Sequence, residues 1–290
     1  MVRYLSLGFD DERPYGDFAK KPEGKEFRRE KWKFLERMNK LFDGEGVPRT
    51  HFLLTRYLQE AEQATGAAML RDLYCYHPDL EIAQHSHSHG IIAPLHGVNQ
   101  KVMTAEQYTQ DLLLASGLVH SILGVWPKGL RTPYGYETDL SARSDILAGL
   151  RSASIRYVSS DLGMKDTLEG ALTEERQPHD YGHVGFEDIM EVPAHGLQDV
   201  VFTKQKAKQL FGKEEAPSPE EAFAHYDGLL DQAKRMDVPR VSVALCLHPW
   251  AVMEYDPQVT LLMTLVDSAR KKGFRVFSYG QVADFYRQFS

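Results

Sequence analysis

The chain has 290 residues, of which 42% are hydrophobic and 26% charged, so it can bury a substantial core. A formal net charge of −7 without a basic block argues against nucleic acid as a partner, because that binding needs a basic face. No apolar stretch is long enough to span a bilayer, and the N-terminus lacks the features of a signal peptide. With Cys75 and Cys246 as the only cysteines, a disulfide framework is not indicated, and we expect a cytoplasmic protein.

Short runs rich in apolar and β-branched residues predict strands along the chain. In chain order these runs cover 4–9, 50–54, 81–83, 157–160, 189–193, 241–247 and 274–279. Segments with helical periodicity lie between them, beginning with 26–43, where the apolar residues fall on one stripe and Gly44 supplies a stop. Capping boxes at Thr104 and Ser218 predict two more helices, and the last long helix is expected between Pro257 and Gly273.

Alternation of strands and helices predicts the α/β class. We expect about seven parallel strands in a closed or partly closed β/α barrel, forming a single domain over residues 1–290. The polar loop 12–25 and the weakly periodic segment 162–188 are candidates for substrate contact, because the loops after the strands line the active face of such a barrel.

Three consecutive acidic residues, Asp10, Asp11 and Glu12, stand at the end of the first predicted strand. Adjacent acids often only begin a loop. Carboxylates that emerge from a buried strand, however, carry a desolvation cost unless a metal ion or a catalytic base role uses them.

Three of the twelve histidines, His85, His87 and His89, lie within five residues at the end of another strand. A single histidine would more often be a hydrogen-bonded core or surface residue. Three in alternation favour metal binding, because imidazole is the commonest neutral ligand and a His-x-x-x-His pair can converge on one ion.

Two later motifs are ambiguous when each is taken alone. The first is Arg131-Thr132-Pro133-Tyr134-Gly135, a turn that carries a permanently charged guanidinium. The second is His248, which ends the most hydrophobic strand of the C-terminal half.

Taken in order, these four motifs resemble those of the polysaccharide deacetylase family, also called carbohydrate esterase family four. That family has an aspartate pair, a histidine pair, an Arg-x-Pro-Tyr-Gly turn and a late leucine-histidine. The motifs extend here from Asp10 to His248, and the segment 277–285 also looks like the family's C-terminal segment.

The resemblance implies an irregular β/α barrel with a divalent metal, usually zinc, with cobalt, nickel, iron or manganese as alternatives. Carried onto this chain, the metal ligands would be Asp11, His85 and His89, and His87 would be a substrate-facing or supporting group. Asp10 would act as the catalytic base that takes a proton from water.

The resemblance also implies roles for the later motifs. Arg131 would orient Asp10, His248 would be the catalytic acid, and the main-chain N–H of Tyr134 would stabilise the oxyanion. Leu245 or Leu247 would form an apolar pocket for the acetyl methyl group.

Two features depart from the family pattern. Gly8 stands where the family commonly has a hydroxyl or β-branched residue, and the family's aspartate-tryptophan motif is not clearly present. Asp161 is the best substitute to pair with Arg131, and Trp250 could replace the missing aromatic wall. His195, at the end of another strand, is expected to line the pocket, although a structural role is equally plausible.

The leading hypothesis is metal-dependent removal of an N-acetyl group from an amino sugar, free, oligomeric or carrier-linked. A second enzyme hypothesis is hydrolysis of another small amide or cyclic ureide, as in relatives resembling metal-independent allantoinases. A third is a barrel that binds carbohydrate without catalysis. The expected partner is a small-molecule or oligosaccharide substrate, and the sequence leaves a homo-oligomer open.

Overall fold

The computed structural model describes residues 1–13, 24–95, 98–163, 172–195, 199 and 215–289. The strands are Val2–Asp11 (β1), Arg49–Leu53 (β2), Leu80–Gln84 (β3), Gly129–Tyr136 (β4), Tyr157–Asp161 (β5), His179–Tyr181 (β6), Phe186–Glu191 (β7), Arg240–Leu247 (β8) and Phe274–Val276 (β9). The helices are Gly24–Gly44 (α1), Thr55–Thr65 (α2), Ala67–Tyr74 (α3), Ala105–Leu123 (α4), Ser144–Ser152 (α5), Pro219–Arg235 (α6), Pro249–Tyr255 (α7), Thr260–Lys271 (α8) and Tyr279–Arg287 (α9). None of these helices has both the length and the apolar composition needed to cross a bilayer.

The described strands join one sheet in the order β6-β7-β5-β4-β3-β2-β1-β8, and β9 pairs with the start of β1. All pairings are parallel except that of β6 with β7. The predicted α/β class with a mostly parallel sheet is therefore confirmed. Just after β7, the N–H of His195 donates to the carbonyl of Ala244 in β8 (2.7 Å), so the sheet curves far enough for its two sides to meet, as in an irregular barrel.

Several local predictions are confirmed, because the capping signals that begin helices depend only on nearby residues. The capping boxes at Thr104 and Ser218 begin α4 and α6 as predicted. The last long helix begins three residues later than expected, at Thr260, because the carboxylate of Asp256 accepts the N–H groups of Thr260 and Leu261 (2.8 and 2.9 Å).

Three parts of the sheet differ from the prediction. The motif that begins at Arg131 is predicted as a turn, but it lies within β4, where the pairing with β5 shifts register between Arg131 and Tyr136. The short antiparallel strand β6 lies in a segment that was expected to be a loop. The predicted strand 274–279 ends at Val276, because Ser278 forms a capping box that begins α9.

The main core lies between the sheet and the helices outside it. Leu7 and Phe9 of β1 and Leu245 of β8 belong to this core together with side chains of α1, α6 and α8. Because side chains alternate along a strand, Gly8 and Asp10 face the other side of the sheet. The carboxyl ends of the parallel strands meet at one edge, and that edge carries the candidate site.

Candidate active site

Six polar side chains converge at the carboxyl edge of the sheet. Two lie within β1 and β4, two immediately follow the last residues of β3 and β8, and two lie in the segments that follow β1 and β3. They are Asp10, Glu12, His85, His89, Arg131 and His248. Five of them were predicted from the sequence as site residues, and Glu12 was not.

Glu12, His85 and His89 form the one group among the described residues whose side chains could share a metal ion. Their ligand atoms all lie within 4.8 Å of one another. The Nε2 atom of His89 lies 2.8 Å from a carboxylate oxygen of Glu12, and that of His85 lies 3.9 Å from the same oxygen. Two imidazoles and one carboxylate are a ligand set of catalytic zinc sites.

The pKa shifts of His85 and Glu12 favour the neutral imidazole and the ionised carboxylate that a metal ion binds. Burial lowers the pKa of His85, so its ring is neutral near pH 7. Its Nδ1 lies 2.9 Å from the carbonyl oxygen of Arg131 and can donate to it, which leaves Nε2 with a free lone pair toward Glu12. Burial would raise the pKa of Glu12, but hydrogen bonds from His248 and His89 outweigh it and hold the pKa well below its usual value. The three residues therefore fit a divalent ion.

Asp11, the predicted metal ligand, does not join this group. Because side chains alternate along β1, Asp11 points away from the face shared by Asp10 and Glu12. One of its carboxylate oxygens lies 3.0 Å from Nζ of Lys31, and the other lies 2.5 Å from Nδ1 of His51. The geometry therefore groups Glu12, and not the expected Asp11, with the two histidines.

Asp10 stands among the groups that a catalytic base would need. One carboxylate oxygen lies 3.3 Å from the guanidinium of Arg131. The other accepts from the thiol of Cys246 (3.4 Å) and lies 4.0 Å from Nε2 of both His85 and His248. Arg131 therefore lies within ion-pair distance of Asp10, where it could orient the carboxylate.

Gly8 explains how a buried arginine fits beside Asp10. The guanidinium of Arg131 lies over the rings of Phe52 and Tyr279, 4.4 and 4.7 Å from their centroids. A Cβ atom at Gly8 would come within 2.9 Å of both rings and of Arg131 Nη2. The departure from the family pattern at Gly8 thus makes room for the arginine between two aromatic rings.

A carboxylate that sequence reasoning missed supports His248. Asp199 is fully buried and accepts from Nδ1 of His248 (2.8 Å) and from its main-chain N–H. Nε2 of His248 lies 3.3 Å from Glu12. Burial alone would lower the pKa of His248, but the carboxylates of Asp199 and Glu12 raise it to about 10.

The predicted pair of Asp161 with Arg131 is wrong. Both carboxylate oxygens of Asp161 accept from the guanidinium of Arg176, at 2.9 Å each. This two-point ion pair joins Arg176 to the end of β5, and Arg131 has Asp10 as its partner instead.

Tyr134 and His87 border the group. Tyr134 is 41% exposed, its backbone has a left-handed φ of 64°, and its ring lies 4.6 Å from that of His89. An unusual backbone conformation at a site of this kind is often functional. His87 is not part of the ligand group, and its Nδ1 lies 3.1 Å from the hydroxyl of Thr55.

Three of the predicted substrate contacts lie in the core instead. Leu245 and Leu247 pack between the sheet and the helices, while Cys246, between them, faces Asp10. An apolar pocket beside Asp10 would therefore use Cys246 with Leu162 and Ala194, which pack together. Trp250 is also buried in the main core, with its ring 5.8 Å from that of His248.

Of the two roles that the sequence left open for His195, its contacts support the structural one. Its Nδ1 accepts from the N–H of Ala244 (3.1 Å), and its Nε2 lies 2.9 Å from the carbonyl of Arg176. Burial lowers the pKa of His195 to about 3, so the ring is neutral and uses both nitrogens to join the two sides of the sheet.

Residues 5–158 match the sequence model of the polysaccharide deacetylase family. A search of curated proteins finds no match. Among solved structures, a Mycobacterium smegmatis protein provisionally described as a polysaccharide deacetylase is similar, with 16% identity, a TM-score of 0.68, and coverage of 99% of this chain and 91% of that chain. A Pseudomonas aeruginosa protein with a similarly provisional description has 14% identity, a TM-score of 0.64 and coverage of 99% and 91%.

A third similar structure is a pseudoenzyme of carbohydrate esterase family four from Bacillus anthracis, with 13% identity, a TM-score of 0.52 and coverage of 98% of this chain and 66% of that chain. At these identities the likeness shows the fold alone. The family match covers more than half of the chain and includes Asp10, His85, His89 and Arg131. The chain therefore belongs to the polysaccharide deacetylase family.

Proposed function

We propose that this protein is a metal-dependent hydrolase that removes the acetyl group from an N-acetylated amino sugar or oligosaccharide. Family membership supports deacetylation. One observation supports the metal dependence: a group of two imidazoles and one carboxylate that could bind one ion lies beside Asp10 and His248 at one edge of the sheet. Two histidines and one carboxylate form a ligand set of catalytic zinc sites, so we propose zinc as the ion.

In this proposal, Glu12, His85 and His89 hold the metal. A bound divalent ion would supply a Lewis acid that acidifies a water molecule and polarises the substrate carbonyl. Asp10 takes the proton from the attacking water, while the guanidinium of Arg131, 3.3 Å away, keeps the carboxylate oriented. By resemblance to the family, the main-chain N–H of Tyr134 donates to the oxyanion.

His248 provides the proton that the departing amine needs. Its Nε2 faces Asp10 and Glu12, and its Nδ1 is held by Asp199 on the opposite side of the ring. An acid and a base that face each other across about 4 Å suit a reaction that removes one proton and returns another.

The exposed ring of Tyr134 supports a carbohydrate substrate. It lies beside His89, and its hydroxyl accepts from the side-chain amide of Gln100 (2.8 Å). An aromatic face with a polar rim next to the ligand group offers both the apolar surface and the hydrogen bonds that a sugar ring uses.

The other two hypotheses have less support. A metal-independent ureide hydrolase would not need three ligand side chains that meet at one point. A non-catalytic protein with this fold has a precedent, because one similar structure is a pseudoenzyme. Both Asp10 and His248 nevertheless stand at this site with partners that suit a base and an acid.

Acetate release tests the proposal. Purified protein is incubated with N-acetylated sugars of increasing length, with zinc and with excess chelator. We expect acetate from at least one of these substrates, and we expect the chelator to abolish its release. Hydrolysis of a cyclic ureide that the chelator does not affect, without release of acetate, would contradict the proposal.

A further inference from the structure

A buried ionic cluster lies on the opposite side of β1 from the candidate site, and the proposed chemistry does not use it. It consists of Asp11 on β1, Lys31 on α1 and His51 on β2, which are at most 2% exposed. Lys31 Nζ lies 3.0 Å from Asp11 and 4.6 Å from the ring centroid of Tyr57.

The cluster is not itself a binding site. The cavity that borders Asp11 and Lys31 has a volume of about 10 Å³, which leaves room for no more than one water molecule. A contribution to folding stability does not by itself account for this cluster, because the cost of desolvating a buried ion pair cancels much of the attraction between its charges.

A contact to the main chain connects the cluster to the candidate site. Nζ of Lys31 also donates to the carbonyl oxygen of Glu12 (3.2 Å). On the other side of the same residue, the N–H of Glu12 donates to the carbonyl of Asp10 (3.1 Å). The backbone of Glu12 is therefore held from both sides at the point where the chain leaves β1.

We propose that Lys31, anchored by Asp11, is a positioning residue that fixes the backbone of Glu12 so that its carboxylate stands with His85 and His89. This inference rests on the proposed metal site. A lysine on α1 that binds both Asp11 and the next carbonyl ties a helix to the end of β1. The backbone of Glu12 then cannot shift away from the histidines without breaking a buried hydrogen bond.

The test is the double variant Lys31→Met with Asp11→Asn, which removes both charges and keeps the side-chain volumes. Zinc affinity is measured by competition with a chelating dye, and folding is followed by circular dichroism and thermal melting. We expect the variant to fold and to lose zinc affinity by about 10- to 100-fold, the range typical of partners that support metal ligands.

The matched control is Arg49→Met with Asp43→Asn, which removes another ion pair (3.0 Å) that includes a buried arginine. Arg49 is the first residue of β2 and therefore lies at the end of the strand away from the candidate site. We expect it to bind zinc as the wild type does. If the first double variant folds and keeps wild-type zinc affinity, the positioning role is wrong. If it fails to fold, the cluster supports the fold and the inference is also overturned. A wild type that binds no zinc would contradict the proposed function instead.

Discussion

Glu12→Gln is expected to lower zinc affinity by roughly a hundredfold or more, because it removes the one charged ligand from the group and leaves two neutral imidazoles. The variant keeps the shape of the side chain, so the fold should persist. Zinc bound per chain, measured by elemental analysis after dialysis against a weak chelator, checks this result.

The informative comparison is Asp11→Asn. Its amide oxygen can still accept from Lys31 while its NH2 group faces Nδ1 of His51, so we expect zinc affinity within a few-fold of the wild type. We also expect a loss of roughly 3 kcal/mol in the free energy of unfolding, because Lys31 is left buried without its counter-charge. Loss of zinc in Asp11→Asn, together with retention in Glu12→Gln, would restore the ligand set that the family pattern implies.

Asp10→Asn is expected to lower kcat for deacetylation by about 10²- to 10⁴-fold while zinc binding and folding remain, because an amide cannot take a proton from water. The substitution keeps the size of the side chain beside Arg131 and Cys246. The measurement is acetate release under saturating substrate, on protein of known zinc content.

Asp161→Asn is the matched control for Asp10→Asn. It also alters a buried carboxylate at the end of a strand, but Asp161 is paired with Arg176. We expect its kcat to change far less than that of Asp10→Asn. Full turnover in Asp10→Asn, or equal losses in both variants, would remove Asp10 from the role of base.

The order of the motifs was enough to predict the family and the fold class, since both depend on the whole chain rather than on the orientation of one side chain. It was not enough to choose between Asp11 and Glu12. Adjacent carboxylates differ in the face of the strand to which they belong, and the alternation from Phe9 in the core to Asp10 at the site was the available signal.

Other errors have the same physical origin. The pairing of Gly8 with Cys246 across β1 and β8 gives these two residues the same face and sends Leu245 and Leu247 to the core. Alternation along the strand could have shown this from the sequence alone.

Two partners could not be predicted because they come from segments without periodicity. Asp199, which supports His248, and Arg176, which pairs with Asp161, both lie in stretches that carry no helical or strand pattern. The contacts of Asp199 and Arg176 join them to residues far away in the sequence, and composition does not determine such contacts.

A crystal of the zinc-loaded protein, with anomalous diffraction recorded at the zinc absorption edge, tests the central assignment most directly. We expect one strong peak in contact with Nε2 of His85, Nε2 of His89 and the carboxylate of Glu12, while Asp11 stays against Lys31. A peak coordinated by Asp11 in place of Glu12, or no peak between these histidines, would contradict the assignment.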